Sequence, residues 1–309
     1  MRGVDLVYLL LYFTLRFFVW LLPDSALNSL SNAIATLAYK INHKHKKIIK
    51  ANLRFCFPEK NEEEITQITK KIYKNFASFG FEFLKIQNAT KEDIKKLVSI
   101  DEISLLQDAL NTKRNIVFIT AHFGCWELIP FIYASYFGGI SIVTRTLDSK
   151  IMNDLLIKNR TKHFDVELID KLGGAKKMLF AIKRGRSLGI LSDQDAGDNE
   201  SVVLEFFGKK VNWNIGASVI AKKTKALLIP AFVYQKKDTF DKNASKTNDF
   251  KGAKYSVKVF KPLDASLASK EELSIYQAKC CEEMIRAYPE EYFFFHKRFK
   301  RFYSEIYQA

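Results

Sequence analysis

Asn115 to Glu127 reads NIVFITAHFGCWE, and the fold follows from it. Asn115 to Ala121 is rich in β-branched and aromatic residues and carries no charge, the composition of a strand buried on both faces of a parallel sheet. The apolar run stops at His122, at the carboxyl end of that strand, where open α/β sheets place their chemistry. Gly124 supplies a turn, and Trp126 to Phe137 resumes apolar residues at helical spacing, so Glu127 falls in the first turn of a helix.

The spacing H-x4-E constrains what these two residues can do together. On one continuous helix five residues turn by roughly 500°, which leaves the side chains well apart, so they meet only across a strand-to-helix bend. If they do meet, the carboxylate holds one imidazole nitrogen as a donor and leaves the other free to take a proton from a hydroxyl. A plain structural role is also open, in which His122 caps the helix and Glu127 complements its dipole. Cys125 adds a rival chemistry, an acyl group carried on a thiolate, although a lone cysteine commonly packs as a small apolar residue. A zinc site is disfavoured, because H-E-x-x-H is missing and no third ligand lies nearby.

With 309 residues, 48% of them hydrophobic, the chain can bury a substantial core in one large domain, or one domain plus an appendage. Cys56, Cys125, Cys280 and Cys281 form no C-x-x-C, so neither a secreted disulfide framework nor a zinc motif is indicated. The net charge of +15 calls for an anionic partner, which charge alone leaves open among nucleic acid, membrane, acidic protein and phosphorylated substrate. The aromatic content leans toward lipid.

Val4 to Leu22 is almost continuously apolar, broken by Asp5 and Arg16. As a helix it is about 28 Å long, close to the hydrocarbon thickness of a bilayer. No small-residue cleavage site follows, and Pro23-Asp24 restarts a helix to Ile41. Residues 1–23 are therefore expected to be a membrane-anchor helix, with a buried core helix as the alternative. His43 to Lys50 (HKHKKIIK) is a basic cluster suited to anionic headgroups, which the apolar segment upstream favours over a solvated turn or a nucleic-acid contact.

Pro58 and the acidic run Glu62 to Glu64 open a long amphipathic helix toward Leu84, and Lys91 to Asn111 is expected to form two more. After the H-x4-E segment, strands at Ile140 to Thr144, Val166 to Ile169 and Ser187 to Ser192 alternate with helices at Ser149 to His163 and Ala175 to Lys183. That alternation implies βαβ crossovers and a mixed, mainly parallel sheet flanked by helices. Val202 to Phe207, Ala226 to Tyr234 and Tyr255 to Phe260 add strands, with a helix over Ile215 to Lys225. Lys236 to Ala253 is polar and aperiodic, a loop or hairpin excursion, and Glu271 to Tyr288 is a closing helix.

Asp193-Gln194-Asp195 follows a hydrophobic strand, the same location as His122. As a D-x-D pair it could hold a divalent metal for a nucleotide-sugar, or position an arginine and a sugar hydroxyl, or simply make a turn. Arg145 ends its strand and Arg160 lies on the next helix; either fork suits a phosphate or an oxyanion.

Taken together, the apolar N-terminal segment, HFGCWE, TRTLDS, KNRTKH, SDQDAG, VLEFFGKKVNWNIGASVIAKKT and PEEYFFFHKRFK, in this order along nearly the whole chain, resemble the late acyltransferases of bacterial lipid A biosynthesis, the lauroyl/myristoyl transferase family. The resemblance implies a glycerolipid-acyltransferase-like domain over 24–309 behind the N-terminal hydrophobic helix. It implies transfer of an acyl chain from acyl carrier protein to a 3-hydroxyacyl hydroxyl on a Kdo-bearing lipid A precursor, with neither cofactor nor metal and no nucleic-acid partner. His122 is then the base, Glu127 its carboxylate, and Arg160 and Asp193 the further catalytic positions, Asp193 orienting Arg160 or the acceptor sugar. Arg145, Gln194 and Asp195 are candidate substrate-binding residues. The implied location is the bacterial inner membrane, with the site on the cytoplasmic side. Cys125 stands where the family often has a polar residue. A transferase acting on another glycolipid or on a lysophospholipid, a metal-dependent glycosyltransferase and a non-enzymatic basic membrane-surface protein are the alternatives.

Overall fold

The computed structural model describes residues 3–236 and 253–308. Most of the polar excursion expected over Lys236 to Ala253 lies outside the described residues.

Four helices lead the chain: α1 (Gly3–Leu21), α2 (Asp24–Ile41), α3 (His43–Cys56) and α4 (Glu62–Lys85). Pro23 separates the first two. The Asn61 side chain accepts from the Glu64 amide while Glu64 returns the bond, a reciprocal cap that starts α4 where the acidic run complements the dipole. The basic cluster after Asn42, expected as a headgroup patch or charged turn, is the first part of α3. Ile48, Ile49, Leu53 and Cys56 recur at helical spacing and are buried, and that stripe outweighs the charge on the opposite face.

Next come α5 (Lys91–Leu97), β1 (Val98–Asp101), α6 (Ile103–Asn111), β2 (Ile116–Thr120), α7 (Ile129–Tyr136), β3 (Ile140–Thr144), α8 (Lys150–Thr161), β4 (Val166–Asp170), α9 (Ala175–Lys183) and β5 (Ser187–Leu191). The chain closes with β6 (Ser201–Phe206), β7 (Lys209–Asn214), α10 (Gly216–Thr224), β8 (Leu227–Gln235), β9 (Tyr255–Val259), β10 (Leu263–Asp264) and α11 (Lys270–Ala287). Three strands were not expected. β1 splits the two helices of 91–111 and adds to the sheet edge beside β9, β7 pairs with β6 as a separate antiparallel hairpin, and the two-residue β10 lies antiparallel to β8.

The main sheet runs β1-β9-β8-β2-β5-β3-β4, with β10 beside β8. Its pairings are parallel except at β8–β9 and β8–β10, the mixed, mainly parallel arrangement read from the alternation. Every residue of β2 is buried. Ile116 and Phe118 pack into a core with Phe131 and Ile132 of α7, while Val117 and Ile119 face Ala181 of α9 and Ala217 and Ile220 of α10. Helices on both faces explain why the strand shows no polar alternation.

β5 lies between β2 and β3, so consecutive strands in the sequence are not neighbours here. Thr120 pairs with Leu191, and the Ser192 amide donates to the Thr120 carbonyl at 3.3 Å. Both chains leave the sheet in step, which brings His122 and Asp193 side by side.

Candidate active site

His122 Nδ1 lies 2.9 Å from Asp193 Oδ1. A carboxylate only accepts, so Nδ1 carries the proton and Nε2 presents its lone pair. Asp193 is fully buried, whereas the His122 side chain is 24% exposed: the carboxylate is shielded and the base is reachable. Burial alone lowers the affinity of the imidazole for a proton, but the charge and hydrogen bond of Asp193 reverse this, with a smaller contribution from Glu127, and His122 ends above its ordinary range. For Asp193, burial opposes ionisation; His122 overcomes it and brings the acid down to about 2.

The carboxylate that holds the His122 imidazole is thus Asp193, not Glu127. Beyond Gly124 the chain makes a 3-10 turn at Trp126–Leu128 and then α7, which aims Glu127 at α8. There Arg160 clasps it with a fork: Nη2 lies 2.6 and 2.8 Å from the two oxygens and Nε 3.1 Å from one. The expectation that Asp193 orients Arg160 is corrected by the same geometry, since each carboxylate has taken the other's expected partner. Glu127 acts on His122 through its field.

Aromatic rings wall the base. Trp126 lies edge-on to His122 at 5.2 Å, Phe293 is 5.9 Å away, and Phe76 of α4 touches both of those rings. The 290–293 segment is tied beneath the motif, with the Gly124 amide donating to the Glu291 carbonyl and the Phe293 amide to the His122 carbonyl. Gly124 has φ +54°, and a Cβ there would run into the Val233 carbonyl of β8. Gly124→Ala is therefore expected to cost about 1–3 kcal/mol of unfolding free energy, read as a lowered denaturant midpoint. An unchanged midpoint would refute the close approach.

The remaining expected site residues are dispersed. Asp195 pairs with Arg301 at 3.2 Å while Asp193 points inward to His122, so the D-x-D carboxylates diverge and the metal arrangement loses its geometry. Gln194 is exposed on the same turn. Arg145 is largely exposed and only loosely paired with Asp148, 3.5 Å apart. Cys125 is buried, and burial pushes its thiol well above the usual range, which removes the thiolate mechanism.

Two buried residues of the C-terminal segment escaped the sequence reading. His296 donates from Nδ1 to the Phe293 carbonyl at 3.0 Å, and burial brings it down to about 4, so it stays neutral beside Asp193. Arg298 is 2% exposed and lies over the rings of Trp213 and Phe206, at 5.4 and 5.7 Å. Both sit in PEEYFFFHKRFKRF, where nothing in the pattern separates a buried arginine from solvated ones.

The family described as bacterial lipid A biosynthesis acyltransferase matches residues 4–301. The chain belongs to that family. It is 25% identical over 290 residues to the lipid A biosynthesis lauroyltransferase of Escherichia coli strain K12, covering 91% of this chain and 89% of the relative. Against the lipid A biosynthesis palmitoleoyltransferase of the same strain it is 23% identical over 297 residues, covering 91% and 88%. Among solved structures, the 1-acyl-sn-glycerophosphate acyltransferase of Thermotoga maritima aligns at a TM-score of 0.41 and 12% identity, over 84% of this chain and 95% of that one. The protein is therefore an acyltransferase of lipid A biosynthesis.

Proposed function

We propose that this acyltransferase moves a fatty acyl chain from acyl carrier protein to the hydroxyl of a 3-hydroxyacyl group on a Kdo-bearing lipid A precursor. The observation that carries the reading is the His122–Asp193 pair with its second imidazole nitrogen at a reachable ring edge. Nε2 takes the hydroxyl proton as the oxygen attacks the thioester carbonyl. The tetrahedral intermediate collapses with cleavage of the C–S bond, and the leaving thiolate takes the proton back from the imidazolium, giving an ester and a free thiol. The Phe123 and Gly124 amides are already bonded to Ala121 and Glu291. Arg160 is the favoured partner of the oxyanion, a charged donor whose Nη1 takes no part in the fork on Glu127, with the remaining backbone amides near the helix start as the alternative.

The anchoring role of residues 1–23 belongs to the same proposal. Among the described residues no helix is long and apolar enough to cross a membrane, and α1 has an inverted pattern. Tyr12 and Arg16 turn inward to Gln87 and Asn88, while Leu6, Leu10, Phe13, Phe17 and Trp20 are exposed, Trp20 by 80%. Polar groups inside and large apolar groups outside suit a helix bedded in the bilayer interface. Lys40, Lys44 and Lys47 are exposed, and on this proposal they add attraction to anionic headgroups on the cytoplasmic side.

Mass spectrometry tests the chemistry. The expected result is one acyl chain added to the Kdo-bearing precursor when acyl carrier protein supplies the thioester, unaffected by EDTA. No gain in mass, or gain only with a nucleotide-sugar, would refute it. With a carrier and an acceptor that are both anionic, kcat/KM should fall severalfold between about 0.05 and 0.5 M salt; a flat salt profile would remove charge from the account of recognition.

A further inference from the structure

α1, α4 and α8, with Ile34 of α2, line a half-open cavity of about 360 Å³ whose walls are almost wholly apolar. α1 contributes Tyr12 and Leu15, α4 contributes Gly80 and Leu84, and α8 contributes Leu155 and Leu156. Phe76, which also lines it, touches the Trp126 and Phe293 rings that wall His122. Two layers of aromatic ring therefore separate the cavity from His122, Phe76 and then Trp126 or Phe293.

Its wall is latched rather than merely packed. Tyr12 donates to Gln87 Oε1 at 2.5 Å and accepts from Asn159 Nδ2 at 3.1 Å, and Arg16 reaches Tyr12, Gln87 and Asn88 at 3.1–3.3 Å. Asn159 immediately precedes Arg160, the residue that clasps Glu127. α1 is thus fastened to the helix that carries an active-site arginine.

We infer that the helix facing the membrane is also a wall of the binding site for a hydrocarbon tail, and that Leu15 and Gly80 limit the tail length the enzyme accepts. The inference rests on the acyl-transfer reading. An apolar cavity of this size with few polar groups suits an aliphatic chain. Gly80 marks where it can be shortened: a Cβ built there meets no atom within 4 Å, so an added side chain sets out into open space on the cavity wall. On a helix interior that replacement also removes the entropic cost of glycine, and the fold should survive it.

The tail could belong to the donor thioester or to the acceptor, and the two are separable. Gly80→Leu and Leu15→Trp are expected to lower kcat/KM for palmitoyl relative to octanoyl chains by about tenfold or more, since single methylenes in a fitted pocket already carry factors of that order. If the shift follows the carrier-protein chain at fixed acceptor, the tail is the donor's. If it follows acceptor tails of varied length at fixed donor, it is the acceptor's. Trp20→Ala, on the outer face of the same helix, should weaken binding to phosphatidylglycerol vesicles and leave the chain-length profile where it is. A readout independent of turnover is the fluorescence of dansyl-undecanoic acid, which should bind wild type and bind Gly80→Leu at least tenfold more weakly. If that contrast holds while no transfer is found, the cavity stands and the proposed reaction falls. Equal dansyl-undecanoate binding with an unchanged chain profile in both variants would overturn the inference.

Discussion

Asp193→Asn is expected to lower kcat/KM by about 10³–10⁴-fold, and His122→Ala by a similar factor. An amide cannot hold Nδ1–H as a charged acceptor does, so the imidazole loses both its tautomer and the support of its conjugate acid. Because the two residues act as one unit, the double variant should be no worse than about threefold below the poorer single one. The pH profile supplies the sign. On the proposed mechanism turnover needs neutral His122, and Asp193 raises the proton affinity of that ring. The acid limb of wild-type kcat/KM should therefore lie above about 6.5. Removing the charge moves the limb to lower pH even as the plateau falls. An Asp193→Asn enzyme within tenfold of wild type, or one whose limb moves upward, would show that another group holds the base.

Arg160→Gln is expected to cost about 10²–10³-fold in kcat, the scale of one lost donor to a developing oxyanion. Arg160→Lys should recover little of it, because a point charge cannot reproduce the fork on Glu127. Glu127→Gln loosens that fork and should give a loss that overlaps with the loss in Arg160→Gln rather than adding to it. It also takes a negative field from His122, so its acid limb moves down, by less than in Asp193→Asn. Additive losses in the Glu127/Arg160 double variant, or a larger limb shift in Glu127→Gln than in Asp193→Asn, would restore Glu127 as the direct partner of the histidine.

That restoration is what H-x4-E invites on spacing alone, and the structure shows why spacing misleads. Gly124 turns the chain, the 3-10 turn rotates Glu127 away, and α8 meets it with Arg160. Residue types were legible: a histidine and an aspartate at strand ends, an arginine on the following helix. Their partners were not, because each pairing spans 33 or 71 residues. The thiolate of Cys125 was open in the sequence and closed by burial, which no local pattern reports. α3 and β1 were missed for related reasons. Dense charge hid the apolar stripe of the first, and at four residues the second is too short to establish a period.

The alternation of strands and helices after β2, the buried central strand, the parallel character of the sheet and the family blocks were determined by the sequence alone, since periodicity and composition are properties of neighbouring residues. Only the tertiary structure decided that β5 inserts beside β2, that Asp193 thereby holds His122, and that α1 carries its polar residues inward. Strand order and helix facing are settled by contacts between segments far apart in the chain, whose energies no local window contains.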